Sequence, residues 1–305
     1  MQKPKIGFIG LGLMGSAMVE RLQSLGYELI VKGNRSRQKI EEAVSRGAVE
    51  SVSAKQMAEQ VEIVMFCVDN SQSVESNIYG DAGVLLGVKA GTIVIDFGTS
   101  LPSSTLKIAK DLAEKGAFYL DCPLGRTPAH AKDGKLNIMG AGEEVVFNQV
   151  KPVLDDLGEN IFYLGSSSTG NKIKLMNNFF AMTTACAMAE VFAMADAAEV
   201  PRDKVYQAMS AGPLRSGMMD FIRNYAIDGQ IDLAFSLENA VKDINYYVQM
   251  AEDLKTTSRM AIGAQSTLAE AAGMGHGAKM VPQMVDFLSE YLRQPPKTEH
   301  SGNVR

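Results

Sequence analysis

Early in the chain an apolar run, Lys5-Ile6-Gly7-Phe8-Ile9, ends in Gly10-Leu11-Gly12-Leu13-Met14-Gly15, and an amphipathic stretch begins at once. A strand that turns into a helix through Gly-x-Gly-x-x-Gly needs Gly10 for the tight turn. It needs Gly12 so that bare backbone can approach a pyrophosphate, and Gly15 for close helix–strand packing. The helix N-terminus then presents unsatisfied N–H groups to the phosphate charge. Alone the pattern is weak, because glycine-rich turns are common; here the strand, the helix and the placement agree. The expected contacts to a dinucleotide are Gly10, Leu11, Gly12, Leu13 and Met14.

The chain continues as that start predicts. Over its first 160 or so residues, short aliphatic runs alternate with amphipathic stretches, the signature of a parallel sheet with crossover helices. The strands expected are Lys5–Ile9, Glu28–Val31, Ile63–Cys67, Thr92–Asp96, Phe118–Asp121, Leu136–Met139 and Ile161–Tyr163. Helices are expected over Met14–Ser24, Arg37–Ser45, Ser103–Lys115 and Glu143–Leu157, with Gly26, Gly47 and Gly116 closing three of them. After Gly170 the pattern changes to a long apolar run rich in Ala and Met, Lys172 to about Glu199, which reads as one helix about 40 Å long. The remainder to Leu292 is helical in pattern, broken at Gly212–Pro213 and Gly273–Gly277. The fold expected is α/β: an N-terminal Rossmann doubly wound sheet (residues 1–165) joined by a long helix to an all-α C-terminal domain (166–293), with a loose tail (294–305).

Composition narrows the function classes. A net charge of -5 and a pI near 5.4 argue against a nucleic-acid surface. No run of about 18 uncharged apolar residues stands out as a membrane span. Cys67, Cys122 and Cys186 are widely separated and form no CxxC motif, which suits a reducing cytoplasm and offers no metal site. His130, His276 and His300 are the only histidines, and none sits in a promising context for acid/base chemistry.

Which dinucleotide is bound depends on the end of the second strand. NAD binders place a carboxylate there for the ribose 2′-hydroxyl, whereas an Arg accommodates a 2′-phosphate. This chain reads Lys32-Gly33-Asn34-Arg35-Ser36-Arg37, with no carboxylate. NADP is therefore expected, with Arg35 and Arg37 forming charge-assisted bonds to the 2′-phosphate and Asn34 and Ser36 as further cofactor contacts. Val68 and Thr99 follow two further strands, at the sheet edge where doubly wound folds bind ligands, and are expected to touch the cofactor as well.

The run Gly7-Phe8-Ile9-Gly10-Leu11-Gly12-Leu13-Met14-Gly15-Ser16-Ala17-Met18 resembles the signature of the β-hydroxyacid dehydrogenases. The resemblance extends in order along nearly the whole chain. Asp96-Phe97-Gly98-Thr99-Ser100-Leu101-Pro102 is similar to the family's Asp-x-Ser-Thr-x-x-Pro segment, with Gly98 where a Ser is usual. Asp121-Cys122-Pro123-Leu124-Gly125-Arg126-Thr127 stands in place of the substrate loop Asp-x-Pro-Val-Ser-Gly-Gly. Gly170-Asn171-Lys172-Ile173-Lys174-Leu175-Met176-Asn177-Asn178 is similar to the catalytic helix Gly-x-x-x-Lys-x-x-Asn-Asn, and Phe235-Ser236-Leu237 with Lys242-Asp243 to Phe-x-Leu…Lys-Asp. The resemblance implies that Lys174 transfers the proton, that Asn178 positions substrate, and that Lys242 reaches the cofactor.

The chemistry is consistent with those roles. A hydroxyl that loses hydride from its carbon must also lose its proton to a base, and the reverse reaction needs an acid at the carbonyl oxygen. Lys174 and Asn178 are four apart, hence one turn apart on one helix face. A lysine partly desolvated on an apolar helix loses some of its preference for the charged form. In the substrate loop, Gly125, Arg126 and Thr127 replace Ser-Gly-Gly, and an arginine there offers a fixed fork of donors to an anionic head group. That variant resembles the sulfolactaldehyde reductase subgroup, whose members also reduce succinic semialdehyde. NADH is the cofactor expected in that subgroup, while Arg35 points to NADPH.

The substrate expected is thus a small acidic alcohol or aldehyde. An imine reductase shares the plan but replaces the lysine, a non-catalytic dinucleotide-binding module also loses it, and phosphogluconate-type decarboxylation needs a helix histidine that this chain lacks. The Ala/Met helix is too long for one small domain to cover, which suggests a homodimer or homotetramer.

Overall fold

The computed structural model describes residues 3–33 and 37–293, so Asn34, Arg35, Ser36 and the expected tail at 294–305 lie outside the described residues. The chain divides into two compact units. One holds the described residues up to Asn177 together with Gln249–Thr256; the other holds Asn178–Val248 and the described residues from Thr257 on.

The first unit runs β1 (Ile6–Ile9), α1 (Leu13–Ser24), β2 (Leu29–Lys32), α2 (Arg37–Ser45), β3 (Val49–Glu50), α3 (Ala54–Ala58), β4 (Ile63–Phe66), α4 (Ser71–Tyr79), β5 (Ile93–Asp96), α5 (Pro102–Ala113), β6 (Phe118–Asp121), β7 (Leu124–Gly125), α6 (Pro128–Lys132), β8 (Leu136–Gly140), α7 (Glu144–Leu157), β9 (Gly158–Tyr163) and the start of α8 (Thr169–Ala197). Six strands form one parallel sheet in the order β3-β2-β1-β4-β5-β6, the doubly wound arrangement of a Rossmann domain. β1, β4 and β5 are buried at every position because helices cover both faces, so they read as unbroken apolar runs rather than alternating ones. One face packs Met18, Leu22, Val150 and Leu154; the other packs Met57, Ile78, Ile108 and Leu112. A smaller sheet follows, with β7 antiparallel and β9 parallel to β8.

The expected strands and helices are all present, and Gly26, Gly47 and Gly116 close their helices with positive φ. Five short elements were not expected: β3, β7, α3, α4 and α6. β3 and β7 have two residues each, too few to show a period. The short α3 is fixed by its cap, Ser53 Oγ accepting from Gln56 N–H at 3.1 Å.

The second unit is all-helical, as expected. It comprises the rest of α8, then α9 (Arg202–Ser210), α10 (Gly217–Asp228), α11 (Leu237–Asp253, whose end falls in the first unit), α12 (Arg259–Ala271) and α13 (Met284–Arg293). Ala185, Ala189 and Ala193 of α8 recur every four residues on one buried face, with Phe192 beside them, and pack with Ile222, Leu237, Ile244, Leu268 and Leu288. Arg202 holds Asp196 through two hydrogen bonds, of 2.9 and 2.6 Å, fixing the turn after α8. The sequence shows no uncharged span of membrane length, yet α8 is long and apolar enough, by length and composition alone, to cross a bilayer. An 18-residue window of it has mean hydropathy 1.3, and half of that window is buried within the fold.

Candidate active site

Gly10 adopts φ 98°, and a Cβ there would meet the Cys67 carbonyl oxygen at 2.4 Å, so only glycine makes this turn. Its N–H donates to Lys32 O at 3.2 Å, tying the turn to the end of β2. A Cβ at Gly15 would stand 1.9 Å from Gly10 O. At Gly12 a Cβ would meet nothing within 4 Å, so the protein's own packing does not demand glycine there. No side chain caps α1, and its first turn carries no acidic residue. An open position beside uncapped N–H groups suits an approaching phosphate. The turn borders a cavity of about 170 Å³ whose lining includes Gly10, Leu11, Gly12 and Val68, four of the expected cofactor contacts, together with Lys32, Cys67, Asp69 and Asn77. Leu13, Met14 and Thr99 are not in that lining; Leu13 is exposed, and Met14 and Thr99 are half-buried.

Deeper in the same unit, two buried carboxylates organise the floor of the sheet edge. Asp96 accepts from Gly98 N–H at 2.8 Å and from Ser100 Oγ at 2.7 Å. Asp121 accepts from Ser168 N–H at 2.8 Å and Asn171 N–H at 2.9 Å, and so caps α8. The Asn171 side chain spans the gap, accepting from Ser100 N–H at 2.9 Å and donating to Thr105 Oγ1 at 3.1 Å. Gly170 lets the helix sit this low, since a Cβ there would lie 2.3 Å from Met139 O. Lys174 stands one turn further along α8, so the loop at 98–100 and the helix that carries this lysine share one set of buried bonds. The sequence singles out neither Asn171 nor Asp121 as a site residue; they enter it only as members of the Gly170-Asn171-Lys172 and Asp121-Cys122-Pro123 motifs.

Burial pushes the Asp121 carboxyl up to about 6, against the pull of the backbone N–H groups that it accepts. A carboxyl that binds its proton more tightly when folded contributes stability that is fully present below about pH 4 and lost as pH rises through about 6. Asp121→Asn should abolish this slope. It should also cost about 1–3 kcal/mol, because one oxygen cannot serve both N–H groups. Denaturant unfolding of both proteins from pH 4 to 7 measures this: the wild-type advantage should shrink as pH rises, and growth instead would show that the hydrogen bonds outweigh burial.

In the segment expected to form the substrate loop, Arg126 takes φ 77°, a strained conformation for a residue with a side chain. Its Nη1 donates to Lys135 O at 2.7 Å and to Glu159 Oε2 at 2.5 Å. Thr127 Oγ1 and His130 Nδ1 are hydrogen-bonded at 2.7 Å, and Gly125 lies against Asn137. In the second unit, Asn178 Nδ2 donates to Asp243 Oδ2 at 2.5 Å, and Lys242 Nζ lies 3.1 Å from Asp243 Oδ1. Asp243 is thus a buried carboxylate joining two expected site residues. It was visible in the sequence only as the second half of Lys242-Asp243.

Comparison with known proteins identifies the family. Residues 5–165 match the family described as the NAD binding domain of 6-phosphogluconate dehydrogenase. Residues 168–288 match the one described as NAD-binding of NADP-dependent 3-hydroxyisobutyrate dehydrogenase. The chain is 30% identical over 250 residues to 2-hydroxy-3-oxopropionate reductase of Escherichia coli, covering 82% of this chain and 85% of that protein. It is 28% identical over 273 residues to 3-sulfolactaldehyde reductase of the same organism, covering 89% and 91%. The solved structure of Mycobacterium tuberculosis 3-hydroxyisobutyrate dehydrogenase with L-serine shares the fold at TM-score 0.86 and 20% identity, covering 96% of this chain and 100% of that one. The chain belongs to the β-hydroxyacid dehydrogenase family of NAD(P)-dependent oxidoreductases.

Proposed function

We propose that this chain is an NADP-dependent oxidoreductase that moves a hydride between the cofactor and a small acidic alcohol or aldehyde, with Lys174 as the acid/base group. The observation that carries the reading is the seating of Lys174, one turn beyond the Asp121 and Asn171 bonds that fix the start of α8. A proton donor must be held within hydrogen-bond reach of the oxygen it serves, and a helix locked at its first turn provides that. The bound nicotinamide supplies or takes the hydride. The cavity beside Gly10, Gly12 and Val68 would hold its dinucleotide, with Asn34, Arg35 and Ser36 at the ribose 2′-phosphate and Thr99 as a further contact.

Asn178, held by Asp243, orients the substrate. The loop Gly125-Arg126-Thr127 receives the acid group. Glu159 and Lys135 O hold the guanidinium through Nη1, and its other donors would receive the acid group. The reductases from Escherichia coli take, by their names, a sulfonated and a carboxylated aldehyde, both small and anionic. Three free thiols suit the cytoplasm, and the exposed Phe180 and Met194 on α8 suit burial in a homodimer or homotetramer.

The test is NAD(P)H oxidation with succinic semialdehyde, glyoxylate, methylmalonate semialdehyde and sulfolactaldehyde, each with NADPH and with NADH. Turnover of at least one acid, faster with NADPH, is expected. Silence on all four with cofactor binding intact would refute the reading.

A further inference from the structure

The cofactor cavity contains a cation that the motif at its entrance does not account for. Lys32, the last residue of β2, lines the cavity together with Gly33, and Ser73 and Asn77 of α4 line it from the other side. Lys32 Nζ donates to Asn77 Oδ1 at 3.2 Å. Asn77 is itself fixed, its Nδ2 donating to Ser73 O at 2.8 Å, so its oxygen is the atom left facing the lysine. That contact engages one of the three ammonium donors. The carboxylate in the same lining, Asp69, belongs to the loop whose Cys67 carbonyl abuts Gly10, at the glycine turn rather than on β2.

In a doubly wound sheet the end of β2 faces the ribose of the adenosine half. A carboxylate there selects a free 2′-hydroxyl, and a cation selects a 2′-phosphate. Lys32 stands on that strand end, in the cavity wall, steered by a side chain on a different helix. A free surface lysine would be neither enclosed nor steered in this way. A role for Lys32 rests on the NADP reading given above and extends it to a residue outside the Asn34-Arg35-Ser36 segment.

We propose that Lys32, oriented by Asn77, is a cationic determinant of the cofactor's 2′-phosphate, in addition to the Arg35 expected from the sequence. Fluorescence titration of the purified full chain gives Kd for NADPH and NADH independently of turnover. Lys32→Met should weaken NADPH about tenfold and NADH less than about twofold, the loss of one charge-assisted bond to the phosphate. Lys32→Arg should retain most of the preference, and Asn77→Ala should reduce it part of the way. Melting temperatures identify any variant that fails to fold, and Lys32→Gln then takes the place of Lys32→Met.

If Lys32→Met keeps the wild-type ratio of the two Kd values, or weakens both cofactors equally, the proposal is overturned. Arg35→Ala separates that failure from failure of the NADP reading. If Arg35→Ala removes the preference and Lys32→Met does not, NADP recognition stands without Lys32. If the wild type binds both cofactors equally, both fall.

Discussion

Lys174→Ala should lower kcat by roughly 10²–10⁴-fold while leaving the Kd for NADPH close to wild type. The size follows from the role, since a positioned acid/base contributes about that factor and nothing else on α8 can replace it at the same place. Lys172, two positions away, lies on a different helix face, because residues two apart do not face each other. The loss should appear equally in kcat and kcat/KM, as it does for an interaction made only in the transition state. Lys174→Arg keeps the charge but holds its proton too tightly to exchange it, so it should fail nearly as badly. A variant that turns over at the wild-type rate would remove the lysine from the chemistry and leave a nucleotide binder.

Two glycines of one motif should fail in opposite ways. Gly12→Val should fold normally, because its first new carbon meets nothing within 4 Å. It should still lose both NADPH and NADH by more than about a hundredfold, since the side chain occupies the space through which the backbone would meet the pyrophosphate. Gly15→Ala should fail in the fold first. Its methyl would stand 1.9 Å from Gly10 O, so the turn must move at a cost of about 1–3 kcal/mol, seen as a lower melting temperature. Calorimetry and cofactor titration on the two variants test both statements, and normal binding by Gly12→Val would mean that no phosphate rests there.

The sheet and its main helices were legible because their physics is local. Buried parallel strands read as unbroken apolar runs, and Gly26, Gly47 and Gly116 mark helix ends by their own backbone conformation. Shorter elements depended on side chains that the periodicity does not weigh. α4 is capped by Asn70, whose Oδ1 accepts from Ser73 N–H at 2.8 Å, a signal present in the sequence but attached to a helix of only 9 residues. The candidate site divides along the same line. Gly10, Gly12 and Val68, which line the cavity, are residues that a motif or a strand end names in the sequence. Lys32 and Asn77 meet across 45 positions, Arg126 and Glu159 across 33, and Asn178 and Asp243 across 65. No spacing rule anticipates pairs that only folding brings together. The positive φ at Arg126 has no periodicity to announce it; its one trace in the sequence is that Arg126 stands where the resembled substrate loop has a Gly.

The cap that Asp121 places on α8 has a consequence for how variants of this protein should be interpreted. A change to Asp121, Asn171 or Gly170 touches no reactant, yet it would shift the platform from which the proton is delivered, and a screen scored on turnover alone would count it as a hit in the chemistry. Such variants should be rescued by conditions that tighten folding, such as sucrose or sulfate, whereas a true loss of the proton donor should not respond.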